Sequence, residues 1–158
     1  MVKKVIGFVL CCLISNAFAG DPKYPVSTIS EDLKQGMYAV IRERDEKFYI
    51  ENKGNSIYRV KLVITILNSN ARQYALLTLG YDRLRKIESF KATAYDAEGS
   101  VIRKLKQTEF IDQSSISGYS LFEDNRIKFA DLSQNTYPYT VEFEYVVRMK
   151  YLYTIPEY

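Results

Sequence analysis

Near the end of the chain, apolar and polar residues alternate without a break of period from Tyr139 to Tyr151, and this run constrains the fold more than any other. Tyr139, Val141, Phe143, Tyr145, Val147, Met149 and Tyr151 share one parity. Thr140, Glu142, Glu144, Arg148 and Lys150 share the other, with Val146 as the exception. A period of two belongs to a strand, whose successive side chains point to opposite faces. At about 3.3 Å per residue the strand spans roughly 40 Å. One apolar and one polar face is the signature of an antiparallel sheet with core on one side and water on the other. Glu142 and Glu144 are therefore expected on the wet face.

The rest of the chain reads in the same way. Tyr58, Val60, Leu62, Ile64 and Ile66 alternate with Arg59, Lys61, Val63, Thr65 and Leu67. The second parity turns apolar after Lys61, which predicts a strand covered on both faces for part of its length. Val40 to Arg42 and Phe48 to Glu51 read as two short strands separated by the charged stretch Glu43-Arg44-Asp45-Glu46. Asn68-Ser69-Asn70 is a turn, and Tyr74 to Leu79 a further strand. Phe90, Ala92 and Ala94 form one face of the next strand. Asp96-Ala97-Glu98-Gly99 is a hairpin loop, with Gly99 able to take positive φ, leading back through Val101 to Leu105. Asp112 to Gly118 is serine-rich and predicts a loop. Tyr119 to Phe122 and Arg126 to Ala130 frame the polar Glu123-Asp124-Asn125.

Before these strands, Gly20 to Ser30 carries Pro22 and Pro25 and reads as a leading arm. Ser30 is placed to cap a short helix through Gln35, with Glu31 and Asp32 in its first turn and Gly36 to stop it. Many strands, short turns and little helix predict an all-β fold, an antiparallel β-sandwich with a short N-terminal helix.

The first nineteen residues stand apart. Lys3 and Lys4 open a run that is apolar from Val5 through Ile14 and ends at Ala17-Phe18-Ala19, the small-x-small pattern of a signal-peptidase site. The run falls short of the about 20 apolar residues a transmembrane anchor requires. A lipid anchor on Cys11 or Cys12 fits poorly, since both lie inside the apolar run after Leu10. The expectation is a signal peptide over 1–19, an arm and short helix over 20–36, and a sandwich over 37–158 that is incomplete at its C-terminus. Export follows, to the periplasm or cell envelope or by secretion, with no stable membrane span after cleavage.

Cleavage after Ala19 leaves 139 of the 158 residues and removes both cysteines. No disulfide can then form, so stability has to come from the core. The 22 basic and 19 acidic residues give +3, and without Lys3 and Lys4 the balance is +1. The charges are interspersed, which does not suggest nucleic acid as a partner.

The sequence contains no histidine. Ser-His-Asp and Cys-His nucleophilic sites are excluded, and with them the commonest metal ligand. Neither a phosphate-binding loop nor a dinucleotide fingerprint occurs. Paired carboxylates remain, as in glycosidases. Glu142 and Glu144 lie two apart on one strand face, but alternating acids are what a solvated face produces. Glu123 and Asp124 rank no higher. Asp112-Gln113-Ser114 offers one acid, too few for a calcium loop. The fourteen tyrosines could stack on sugars or on protein partners, although tyrosine is also a favoured strand residue. No catalytic, cofactor-binding or metal residue is assigned.

Several short motifs then occur in a telling order: Tyr24-Pro25-Val26-Ser27 with Ile29 and Leu33; Ala39-Val40-Ile41-Arg42-Glu43; Thr65-Ile66-Leu67-Asn68; Tyr81-Asp82 with Arg85-Lys86-Ile87; Tyr95-Asp96-Ala97-Glu98-Gly99; and Tyr137 through Tyr145. In this order the chain resembles the domain of unknown function at the N-terminal end of exported bacterial transglutaminase-like proteins. The resemblance implies a β-sandwich followed, in a full-length relative, by a papain-like core with a Cys-His-Asp triad. None of that triad is present here, and the chain ends at Ile155-Pro156-Glu157-Tyr158, where the accessory domain would still be finishing. The expected function is a non-catalytic accessory module that packs against a transglutaminase-like domain or other protein partner, without a cofactor. The alternative is a carbohydrate-binding sandwich, marked by exposed tyrosines clustered on one sheet face. Mass spectrometry of the exported protein should find Gly20 as its first residue, and an intact Met1 in the envelope fraction would refute the signal peptide.

Overall fold

A computed structural model describes residues 21–114 and 125–150. Residues 1–20, where a signal peptide is expected, the Tyr119–Phe122 segment and the chain beyond Lys150 lie outside the described residues. After an arm and a one-turn helix α1 (Glu31–Lys34), eight strands follow: β1 (Ala39–Asn52), β2 (Asn55–Ile66), β3 (Leu76–Tyr81), β4 (Arg85–Tyr95), β5 (Val101–Lys104), β6 (Ile111–Ser114), β7 (Arg126–Asp131) and β8 (Tyr139–Lys150). They form two antiparallel sheets, a larger one ordered β1-β2-β8-β4-β5 and a smaller one ordered β3-β7-β6. The predicted all-β sandwich is the fold observed.

The alternating run becomes β8, the middle strand of the larger sheet, paired with β2 on one edge and β4 on the other. Its apolar parity faces the smaller sheet. Tyr139, Val141, Phe143 and Val147 are buried there, with Ile64 and Ile66 of β2 and Phe90, Ala92 and Ala94 of β4. Leu79, Ala130, Leu132 and Phe110 close over them from the other layer. Phe90 stacks on Phe110 with ring centroids 4.4 Å apart, and edge-on contacts continue through Tyr145 and Tyr58 to Phe48. Aromatic contact thus runs from the core to the outermost strand.

Three local expectations are corrected. The stretch read as two short strands is one fourteen-residue strand, β1, because Glu43 to Lys47 pair with β2 residues Val63 to Arg59 and keep their charges at the sheet edge. Tyr74 lies in a 3-10 turn (Ser69–Ala75) rather than in β3, where Asn68 accepts a hydrogen bond from the Asn70 amide at 3.0 Å and tightens the chain. Asp112 to Ser114 belong to β6, held to β7 by pairing, while 115–118 lie outside the described residues. Gly36 ends the short helix at φ 73°, and Gly99 takes φ 93° in the β4–β5 hairpin, as expected, while Ser30 stands at the N-cap position without a side-chain capping bond.

The fourth correction matters most. Glu142 and Thr140, expected in water, are buried, at 5% and 0% exposure. The arm crosses the outer face of the larger sheet and covers them, burying its own Val26 and Ile29. Farther along, beyond the arm, the outer face is polar as expected. There Asp45, Lys61, Glu144 and Lys91 stand in one cross-strand row of alternating sign.

Emptying the core site at Phe143 (Phe143→Ala) should cost about 3–5 kcal/mol. Glu144→Ala, on the outer face beside Lys91, should cost about 0.5 kcal/mol or less. Denaturant titrations giving equal losses would reverse the assignment of faces.

Candidate functional site

Two places combine shape with chemistry, one on each face of the larger sheet. The first is built around Glu142. Between Ile41 and Glu43 the β1–β2 register shifts, and the extra residue is Arg42. A β-bulge re-aims the side chain it inserts, and Arg42 reaches across to the arm. Its guanidinium donates to the Tyr24 carbonyl at 3.1 Å, the Pro25 carbonyl at 3.4 Å, the Thr28 hydroxyl at 2.6 Å and the Thr65 hydroxyl at 3.4 Å. Two further bonds hold the arm to the β4–β5 hairpin, from the Lys23 amide to the Gly99 carbonyl (2.8 Å) and from the Val26 amide to the Ala97 carbonyl (2.9 Å). Gly99 is required there, since a Cβ would lie 2.5 Å from the Lys23 carbonyl oxygen.

Held this way, Tyr24 sits at φ 56°, a left-handed conformation that a bulky residue rarely adopts. Such strain persists only where surrounding contacts impose it. Its hydroxyl donates to Glu142 Oε1 at 3.2 Å and approaches Glu43 Oε2 at 3.4 Å. The Tyr95 hydroxyl donates to Glu142 Oε2. Lys61 lies 3.7 Å from Glu142 Oε1 and 2.8 Å from Glu43 Oε2, over the Tyr24 ring. Burial, then the bond to Glu142, push the Tyr95 hydroxyl above its ordinary 10.0. Burial likewise raises Tyr24. Bonds to Glu43 and then Tyr24 raise Lys61.

A groove of about 750 Å³ runs beside this cluster, lined by Tyr95, Glu142 and Glu144 with Asp21, Lys23, Lys91 and Lys104. Both oxygens of Glu142 are occupied by donors, and Glu144 faces Lys91 at 3.7 Å. The two acids that spacing singles out thus have different work, one securing the arm and one balancing a surface lysine. Asp112 accepts from the Tyr81 hydroxyl at 2.7 Å and pairs with Arg126 at 2.9 Å, which places it in a structural network at the sheet edge. Glu123 and Asp124 lie outside the described residues. Among the described residues no group of three or more acidic, histidine or cysteine side chains is placed to hold a metal. No helix among them is long and apolar enough to cross a membrane.

The second place is on the inner face. Among the described residues the smaller sheet sets three strands against five, and a groove of about 620 Å³ runs along the flank of β1 and β2. Val60, Leu62, Ile64, Tyr58 and Tyr145 form its floor. Its rim carries Met37, Tyr38, Ile41 and Tyr74, each more than half exposed at 53%, 56%, 60% and 51%. At one end Glu46 accepts hydrogen bonds from the Tyr58 hydroxyl and from Arg44, which hold its carboxyl below the usual range. This rim escapes sequence reading because Met37 and Tyr38 precede the strand and Tyr74 lies in the turn before β3. Only the smaller sheet's position gathers them.

The fold has known relatives. In the crystal structure of a candidate protease from Parabacteroides distasonis, a region superposes on 73% of the present chain with a TM-score of 0.61 at 14% identity. The chain spans 24% of that protein's length. No protein of curated function matches it.

Glu142→Gln should loosen the arm, at a cost of about 1–3 kcal/mol for the disturbed buried bonds, and expose residues 21–38 to limited proteolysis. Gly99→Ala should release the same segment by a different route, the clash with Lys23. Because Tyr95 and Lys61 are raised in the folded state, the stability they carry is intact below pH 10.0 and is lost as pH rises through their folded values. Arm cleavage should therefore increase in alkali. An arm as resistant in both variants as in the parent would contradict the latch.

A sequence model of a Domain of Unknown Function with a solved structure, DUF3857, matches residues 52–154, and the chain belongs to that family.

Proposed function

We propose that the protein is a non-catalytic, exported accessory module that docks a transglutaminase-like domain, or another protein partner, in the cell envelope. The observation that carries this reading is the apolar groove along β1 and β2. Single exposed apolar residues are ordinary, but Met37, Tyr38, Ile41 and Tyr74 gather on one rim over an apolar floor, which marks an interaction surface. Aromatic and methionine side chains are the types enriched where proteins meet. The likeness to a quarter of a longer candidate protease supports a modular role. With no histidine in the sequence and no cysteine beyond the leader, an acyl-transfer centre would have to come from the partner. The arm and its leader fit export.

The groove also weighs against the carbohydrate reading. Sugar stacking needs flat rings beside polar partners; the groove has rings at Tyr38 and Tyr74, but its carboxylate Glu46 is already paired with Tyr58 and Arg44, and the rest of the floor is apolar.

Light scattering on the purified protein should show self-association that Ile41→Asp and Met37→Asp suppress, since the same groove would bury itself between copies. Titration with a transglutaminase-like domain encoded in the same genome should give binding that these variants lose. A sharply monomeric protein that ignores such domains would overturn the docking reading. Turnover of an acyl donor, abolished by replacing one acidic residue, would overturn the non-catalytic one.

A further inference from the structure

One pole of the sandwich gathers four lysine and arginine side chains that have no ion-pair partner among the described residues. The β1–β2 turn, the β3–β4 turn and the last residue of β8 lie side by side: Lys150 pairs with Asn55, and its amide donates to the Leu84 carbonyl at 2.7 Å. This brings Lys53, Arg85, Lys86 and Lys150 to one surface, all exposed and without an acidic partner among the described residues. The exposed Arg83 lies in the same turn and, with Lys86 and Arg126, lines a shallow hollow of about 390 Å³.

The nearby acids are already engaged. Asp82 accepts from the amides of Leu84 and Arg85 at 2.6 and 2.8 Å, Asp112 is tied to Arg126, and Glu51 (at 2.6 Å) and Glu88 share Arg148. With the leader removed the sequence balances at only +1, so this excess reflects segregation rather than overall charge. Two aliphatic side chains stand among the cations: Leu84, 42% exposed at the tip of its turn, and Ile50, 57% exposed near the end of β1.

We propose that this pole binds the surface of an anionic lipid bilayer, peripherally and without insertion of a span. Cations alone would suit any polyanion. Aliphatic tips between them favour a bilayer, where Leu84 and Ile50 can enter the headgroup boundary while the lysine and arginine heads remain among phosphates. Each cation near an anionic surface contributes about 1 kcal/mol, roughly a fivefold gain in partitioning. Four such cations give weak, reversible and salt-sensitive attachment, which suits a module that positions a larger partner beside a membrane. The docking groove lies elsewhere, on the inner face, and is open while this pole is engaged.

The test is co-sedimentation with vesicles of phosphatidylglycerol and phosphatidylcholine against vesicles of phosphatidylcholine alone, using the chain from Gly20 onward with the full chain beside it. Recruitment should require phosphatidylglycerol and weaken at high salt. Lys53→Gln, Lys86→Gln and Lys150→Gln should each lower it about fivefold. Leu84→Ser should lower it without changing the salt slope. Lys104→Gln with Lys106→Gln, twice that loss of charge at a different place, should leave it unchanged, and circular dichroism would verify that every variant is folded. Absence of phosphatidylglycerol-dependent recruitment overturns the proposal, as do equal losses in the Lys104/Lys106 variant or retention of soluble polyphosphate as strong as that of vesicles. Loss of groove-dependent docking in Ile41→Asp, with recruitment intact, separates this pole from the groove.

Discussion

A carboxylate cannot be buried in a sheet without donors, and that requirement at Glu142 organises the outer half of the structure. Removing an unpaired charge from water costs several kcal/mol, far more than an ordinary contact returns. Here the donors come from three separate parts of the chain: Tyr24 in the arm, Lys61 on β2 and Tyr95 on β4. The arm therefore docks where its tyrosine can reach Glu142, and the bulge at Arg42 and the missing side chain at Gly99 make the approach possible. Once the arm is in place, β8 from Tyr139 to Phe143 is covered on both faces and bonded on both edges. The middle strand of a half-solvated sheet becomes the interior of the molecule.

On the opposite face, arithmetic of a simpler kind applies. Among the described residues five strands stacked on three leave a flank uncovered, and the residues of that flank are not the polar ones that would suit water. Val60 and Ile64 are shielded, while Met37, Tyr38, Ile41 and Tyr74 are not. The two faces thus solve the same problem differently. One borrows cover from the chain's own arm, and the other stays open as the groove where we propose that a partner docks. The basic pole lies at the end of the strands, away from both solutions.

Much of this was legible in the sequence because period-two patterns survive folding. The alternation from Tyr139 onward placed β8, the double-sided apolarity after Lys61 marked the covered part of β2, and Gly99 marked its hairpin. What failed did so for identifiable reasons. Glu43 to Lys47 looked like an interruption because local propensity disfavours charged strands, yet an edge strand tolerates charge on both faces and is protected by it from unwanted pairing. Glu142 looked solvated because polarity was taken for exposure. Its cover comes from residues more than a hundred positions earlier, and no local pattern encodes that contact. The site itself was illegible for the same reason. The groove's rim is drawn from a pre-strand turn, an edge strand and a 3-10 turn, with no shared period among them.

The placement of β8 also has a mechanical consequence. The arm is fastened at the end of the larger sheet where β4 runs into its hairpin, and Lys150 lies at the far end. Tension applied between these points would run along β8 rather than across it. Its ladders with β2 and β4 would then be loaded in shear, many hydrogen bonds at once, instead of being unzipped one by one. Rupture would depend on the rate of crossing that barrier rather than on equilibrium stability. A small domain would, in that geometry, resist extension between its arm and the end of β8.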